Sequence, residues 1–141
     1  MAYRPFVLDT SALIAFVQNE PGAERVEKIL KSARNGAHAV YISFVTLAEL
    51  YYVTCKEEGR SAALEMIVLV KSLSLNIVES MERLTLLAGS IKADHRLSLA
   101  DAFIIATTSH VGGILVHKDP EIEQVNDFIS TEKLPYKPLK K

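Results

Sequence analysis

The sequence predicts an α/β sandwich around a mostly parallel central sheet. Three observations carry that expectation. Apolar runs of three to five residues alternate with longer segments of helical periodicity, and turn or capping residues separate the two. The chain has 141 residues, the size of one domain. Its 49% hydrophobic content is enough for a sizeable core.

Taken in order, Phe6 to Leu8 reads as a short buried strand, and Asp9-Thr10-Ser11 supplies N-cap chemistry for a helix over Ala12 to Gln18. Pro21 and Gly22 break that helix. Val26, Ile29, Leu30 and Ala33 then keep the i, i+3, i+4, i+7 spacing of an amphipathic helix that ends near Gly36. Ala39 to Ile42 is a second strand, and Ser43 can cap a helix from Phe44 to about Glu58, ended by Gly59. Ala62 to Leu73 is a further helix. Leu64, Ile67, Val68, Leu69 and Val70 make it apolar on more than one face, which points to a partner surface as well as a core.

Leu75 to Val78 is a third strand, and Glu82 to about Asp94 and Ser98 to His110 are helices. Gly112-Gly113 releases the chain into a fourth strand at Ile114 to Val116, and a last strand is expected at Asn126 to Ile129. One domain over residues 1–130 is therefore expected, followed by a basic, proline-punctuated tail over 131–141.

Charge and cysteine content exclude several classes. Lys+Arg 16 against Asp+Glu 17 leaves a net charge of −1, so no global field favours a polyanion and any nucleic-acid contact must be local. A single cysteine, Cys55, rules out a disulfide framework or a thiolate zinc site within one chain. The histidines His38, His95, His110 and His117 lack the two-histidine helical spacing of a zinc site and are expected at the surface. The start lacks a secretory pattern, and no segment approaches the roughly 20 apolar residues of a membrane span. A cytoplasmic protein without membrane contact is the expectation.

Four acids stand out. Asp9 closes Phe6-Val7-Leu8, Glu49 interrupts the apolar stretch from Phe44, Asp101 lies within Leu99 to Ile105, and Asp119 follows Ile114-Leu115-Val116. Carboxylates are rarely left buried and unpaired. If the four converge, neighbours ~4 Å apart repel by roughly 4 kcal/mol per pair at an intermediate dielectric, and a hard divalent cation is the economical remedy. Asp9, Asp101 and Asp119 each have a capping explanation too: Asp9 as N-cap, Asp101 in the S-x-x-D spacing from Ser98, and Asp119 before Pro120-Glu121. Glu49 has none, because its i+4 neighbour is Val53 and apolar residues surround it.

In this order along the chain, Phe6-Val7-Leu8-Asp9-Thr10-Ser11-Ala12-Leu13, Ile42-Ser43-Phe44-Val45-Thr46-Leu47-Ala48-Glu49-Leu50, Leu97-Ser98-Leu99-Ala100-Asp101-Ala102 and Leu115-Val116-His117-Lys118-Asp119 resemble the motifs of PIN-domain nucleases. The likeness is greatest to the VapC-like toxins of toxin–antitoxin pairs, and it covers nearly the whole chain. It implies a three-layer α/β/α sandwich and a metal-dependent endoribonuclease. Asp9, Glu49, Asp101 and Asp119 would be catalytic and hold one or two Mg²⁺ or Mn²⁺ ions, directly or through water. The products would carry 5′-phosphate and 3′-hydroxyl ends.

Ser11 matches the family's hydroxyl position and would place a water or a phosphate. His117 stands where related proteins usually have Thr or Ser, so it is a second candidate for positioning substrate or water, although the solvent-facing reading comes first. An RNA substrate, a cognate antitoxin and a homodimer are the partners the likeness implies. Two rival readings remain at this point. One is a non-catalytic PIN-like interaction module. The other is a phosphotransfer domain with Asp9 as nucleophile, which lacks the second acid near Asp9 that such domains need.

Overall fold

A computed structural model describes residues 3–137. Strands β1 (Phe6–Leu8), β2 (Val40–Ser43), β3 (Asn76–Val78), β4 (Ile114–His117) and β5 (Ser130–Lys133) form one sheet in the order β3-β2-β1-β4-β5. Every pairing is parallel. Between the strands run helices α1 (Thr10–Val17), α2 (Ala23–Arg34), α3 (Phe44–Glu58), α4 (Arg60–Lys71), α5 (Glu82–Asp94) and α6 (Leu99–Val111), with a 3-10 helix over Pro120–Val125.

The period-two alternation of a strand divides the core into two halves. Val7 and Leu115 face one side, where Leu84, Ala88, Ile91, Ile104 and Ile122 cover them. Phe6, Leu8, Ile42 and Val116 face the other, under Leu13, Val26, Ile29, Leu50 and Val70. The sheet is therefore sandwiched between α5, α6 and the 3-10 helix on one face and α1 to α4 on the other. Burying side chains such as Leu8, Leu13 and Ile29 contributes about 1.5–3 kcal/mol each.

Strand order positions the site. The chain begins at the centre with β1, lays β2 and β3 to one side, then crosses to β4 on β1's other flank. The carboxyl ends of β1 and β4 thus meet at the switch point, where parallel sheets gather ligands.

One element falls later than the sequence reading places it. Residues 126–129 form the turn that closes the 3-10 helix, with the Phe128 and Ile129 N–H groups donating to the Val125 carbonyl at 2.8 and 3.0 Å. The last strand is Ser130–Lys133, paired with β4, and the Leu134 N–H donates to the His117 carbonyl at 2.7 Å. Leu134 is only 2% exposed and packs on Gly22. Gly22 has φ 101°, and a Cβ there would sit 3.0 Å from that of Leu134. Residues 131–134, expected as tail, are therefore part of the sheet and core, while 138–141 lie outside the described residues. The strand was hidden because an edge strand is polar: Ser-Thr-Glu-Lys carries charge outward, and Glu132 pairs with Arg25 at 2.7 Å.

Candidate active site

Asp9 leaves β1 with its N–H bonded to the Val116 carbonyl of β4 at 2.9 Å, which fixes it across the switch point. Its two carboxylate oxygens have different surroundings. Oδ2 caps α1 by accepting from the Ser11 N–H at 3.2 Å and from the Ser11 hydroxyl. Oδ1 is buried with no hydrogen-bond partner, in a residue only 3% exposed. A buried acceptor without a donor is costly, so Oδ1 calls for a proton or a cation. Burial pushes the Asp9 carboxyl up to about 7, opposed by the Ser11 hydroxyl and reinforced by the charges of Asp101 and Glu49.

Glu49 projects from α3, whose start Ser43 caps through the Val45 N–H at 3.2 Å. The Thr10 hydroxyl, 3.2 Å from that of buried Thr46, donates to Glu49 Oε1 at 2.7 Å. Thr10, with Thr46 beside its hydroxyl, thus ties the carboxylate to α1. Asp101 lies on the first turn of α6, where the capping oxygen is that of Ser98, which accepts the Asp101 N–H at 3.0 Å. Ser98 is therefore the N-cap, and Asp101 holds the third position of the S-x-x-D spacing. Burial raises its carboxyl to about 6, with the Ser98 hydroxyl opposing and Asp119, Glu49 and Glu121 reinforcing.

Asp119 begins the 3-10 helix by accepting the Glu121 N–H on Oδ1 at 2.9 Å. This bond fixes the Asp119 carboxylate at the start of the turn that carries Glu121. Asp101, Asp119 and Glu121 each offer an oxygen within 4.8 Å of the others. Asp9 and Glu49 stand outside that trio and are linked to it by charge through Asp101. Of the four acids singled out in the sequence, Asp101 and Asp119 come together with Glu121, while Asp9 and Glu49 lie close enough to act on Asp101 or on each other by charge. Glu121 was missed because it is exposed and its Asp-Pro-Glu context reads as an ordinary helix start. The i, i+2 spacing from Asp119 was the available signal.

Two expectations change. His117, expected to face solvent or substrate, is 1% exposed beneath the residues that follow β5. Its Nδ1 accepts the Asp119 N–H at 3.2 Å, and its ring lies 6.3 Å from that of Tyr136. Burial holds its pKa below the ordinary value, against the charges of Asp119 and Glu123, so the neutral ring with Nδ1 as acceptor is the favoured form. His117 therefore supports the Asp119 turn from behind. Ser11 has protein partners as well: its hydroxyl donates to Asp9 and accepts the Lys118 N–H at 2.9 Å, tying Asp9 to the exit of β4.

The donor set is all oxygen, one carboxylate oxygen is buried without a partner, and two carboxyls are raised by confinement. These residues fit a hard divalent cation, which prefers oxygen ligands and retains waters in an open cleft.

A parallel sandwich with carboxylates gathered at its switch point defines the class, and the chain belongs to the PIN domain family, whose profile matches residues 6–127. That span includes all five acids. The fold is similar to that of VapBC from Salmonella typhimurium solved with DNA, at a TM-score of 0.73 and 23% identity over 93% of this chain and 98% of that one. It is also similar to VapBC2 from Rickettsia felis bound to a promoter DNA fragment, at a TM-score of 0.72 and 17% identity over 92% and 98%. A third solved relative is VapC20 of Mycobacterium tuberculosis, a sarcin-ricin-loop-cleaving toxin, at a TM-score of 0.65 and 18% identity over 85% and 94%. No curated protein sequence matches the chain. Among the described residues, no helix is long and apolar enough to cross a membrane.

Proposed function

We propose that this chain is a divalent-metal-dependent endoribonuclease and the toxin of a toxin–antitoxin pair. The reading is supported by the grouping of Asp101, Asp119 and Glu121, by the charge coupling of Asp9 and Glu49 to Asp101, and by the buried, unpaired Asp9 Oδ1. These carboxylates would hold Mg²⁺ or Mn²⁺, which when bound neutralises charge developing on a phosphodiester and makes water a better nucleophile. The protein's own contribution is positioning. Ser11 locks Asp9, Thr10 holds Glu49, and His117 holds the turn that presents Asp119 and Glu121.

RNA as substrate is supported by the likeness to the Mycobacterium tuberculosis toxin, and an antitoxin partner by the likeness to the VapBC assemblies. A homodimer through α3 and α4 is supported by their exposed apolar residues Tyr52, Leu64, Leu69 and Val68, the last 70% exposed. A second reading, a non-catalytic interaction module, draws on the caps that Asp9 and Asp119 do provide. Caps alone bind no shared ion, so Mn²⁺ titration separates the two.

The deciding experiment is cleavage of a mixed RNA pool by purified, folded, antitoxin-free protein with Mn²⁺ or Mg²⁺, with EDTA, and with Asp101→Asn. Metal-dependent cutting lost in the variant is expected. Absence of cutting together with absence of Mn²⁺ binding would sink the nuclease reading.

A further inference from the structure

A cavity of about 330 Å³ adjoins the acid cluster, lined by Ser11, Ile14, Glu20, Lys118, Tyr136 and Lys137, with Pro120 at its edge. Two of these walls belong to the site itself. Ser11 is bonded to Asp9, and Pro120 stands between Asp119 and Glu121. The cavity thus shares with the carboxylates the residues that border them.

Charge reverses at that boundary. Lys118 Nζ is buried, donating to the Pro21 carbonyl at 2.8 Å and lying 3.5 Å from Glu20 Oε1. Lys137 Nζ reaches the other oxygen, Glu20 Oε2, at 3.0 Å, and its side chain is 68% exposed. Burial works to raise the Glu20 carboxyl, but hydrogen bonding and charge from Lys137 and Lys118 outweigh it and leave it below the ordinary carboxylate range. One carboxylate cannot neutralise two ammonium groups, so the cavity carries a net positive charge beside five acids. Lys118 is already committed to protein partners, which leaves Lys137 as the accessible cation. Ile14 and the Tyr136 ring supply the apolar wall.

We propose that this cavity is the subsite for the nucleotide adjoining the scissile phosphodiester in a single-stranded stretch of RNA, with its phosphate on Lys137 and its base against Tyr136 and Ile14. The proposal rests on the nuclease reading and adds to it a place and a chemistry for the flanking nucleotide. A chain with a net charge of −1 has no general attraction for RNA, so local cations must supply it. Aromatic faces accept any base by stacking, which suits a single strand. An acidic peptide is the less favoured occupant, because it could meet Lys137 but has no flat base to lay against Tyr136.

The test is fluorescence anisotropy of a labelled, mixed-sequence single-stranded oligoribonucleotide, with Ca²⁺ replacing Mg²⁺ so that it is held uncut. Wild type, Lys137→Gln and Lys137→Arg are compared across a salt series, and Mn²⁺ affinity is measured separately by calorimetry. Lys137→Gln is expected to weaken RNA binding several-fold and to reduce the slope of log K against log salt by ~0.7, the loss of one single-strand phosphate contact. Lys137→Arg should keep both values, and Mn²⁺ affinity should be equal in all three. If Lys137→Gln binds RNA with unchanged affinity and slope while Mn²⁺ binding and cleavage persist, the subsite fails and the nuclease reading stands. If wild type binds neither Mn²⁺ nor RNA, both fail. If Lys137→Gln weakens a polyglutamate peptide but not RNA, the cavity belongs to a protein partner and the proposal is overturned.

Discussion

Asp9 divides its carboxylate between two tasks, and that division sets what its replacement should do. Asn at position 9 keeps an oxygen for the Ser11 cap and loses the charge, so Asp9→Asn should fold and lose cleavage, as should Asp101→Asn. Circular dichroism and an RNA cleavage assay check this, and full activity in either variant would refute the site. The raised carboxyl also fixes a pH dependence. Asp9 goes from 3.8 when unfolded to about 7 when folded, so between those values the folded state binds the proton more tightly. Metal-free protein should therefore lose stability as pH rises from about 4 to 7, by at most roughly 4 kcal/mol from this group. Urea unfolding with EDTA at pH 5 and pH 8 measures it. Mn²⁺ should abolish most of the difference, and Asp9→Asn should flatten the slope. His117→Ala removes a buried ring and the acceptor for the Asp119 N–H, for a cost of about 2–4 kcal/mol. It should also weaken Mn²⁺ binding in calorimetry, an effect that a mere packing loss far from the turn would not produce.

The elements were unequally legible. Helix α3 was readable to the residue, because Ser43 and Gly59 mark its ends and apolar periodicity fills it. Strand β5 was not, because a charged edge strand carries no hydrophobic signal and its place is set by pairing to β4. That missed strand also hid the burial of His117, which depends on Leu134 and Tyr136 closing over it from further along the chain. Charges interrupting apolar runs made the four acids visible. Glu121 interrupts nothing, and only the fold of the 3-10 helix brings it alongside Asp101 and Asp119. The closing segment should therefore matter to stability: Leu134→Ala is expected to cost about 2–4 kcal/mol and to lower the thermal midpoint by several degrees. A change no larger than that of an exposed-site control would show that the segment is not anchored there.

At the scale of the whole molecule, the apolar face of α4 asks for a partner, and Val68→Asp tests whether a second copy supplies it. Light scattering at micromolar concentration should read a dimer for the wild type and a monomer for the variant. A wild-type monomer would remove the dimer. The sheet register has a consequence in time as well as in space. Pairing of Phe6 with Ile114 joins the first strand to the fourth, and the Asp9 N–H reaches the Val116 carbonyl, three residues before Asp119, only through that pairing. A chain emerging from the ribosome carries β1 and the helices after it long before β4 exists to complete the sheet. The acid cluster therefore stays unassembled until synthesis has passed β4 and the 3-10 helix, so a nascent chain can fold its first helices with no complete carboxylate site.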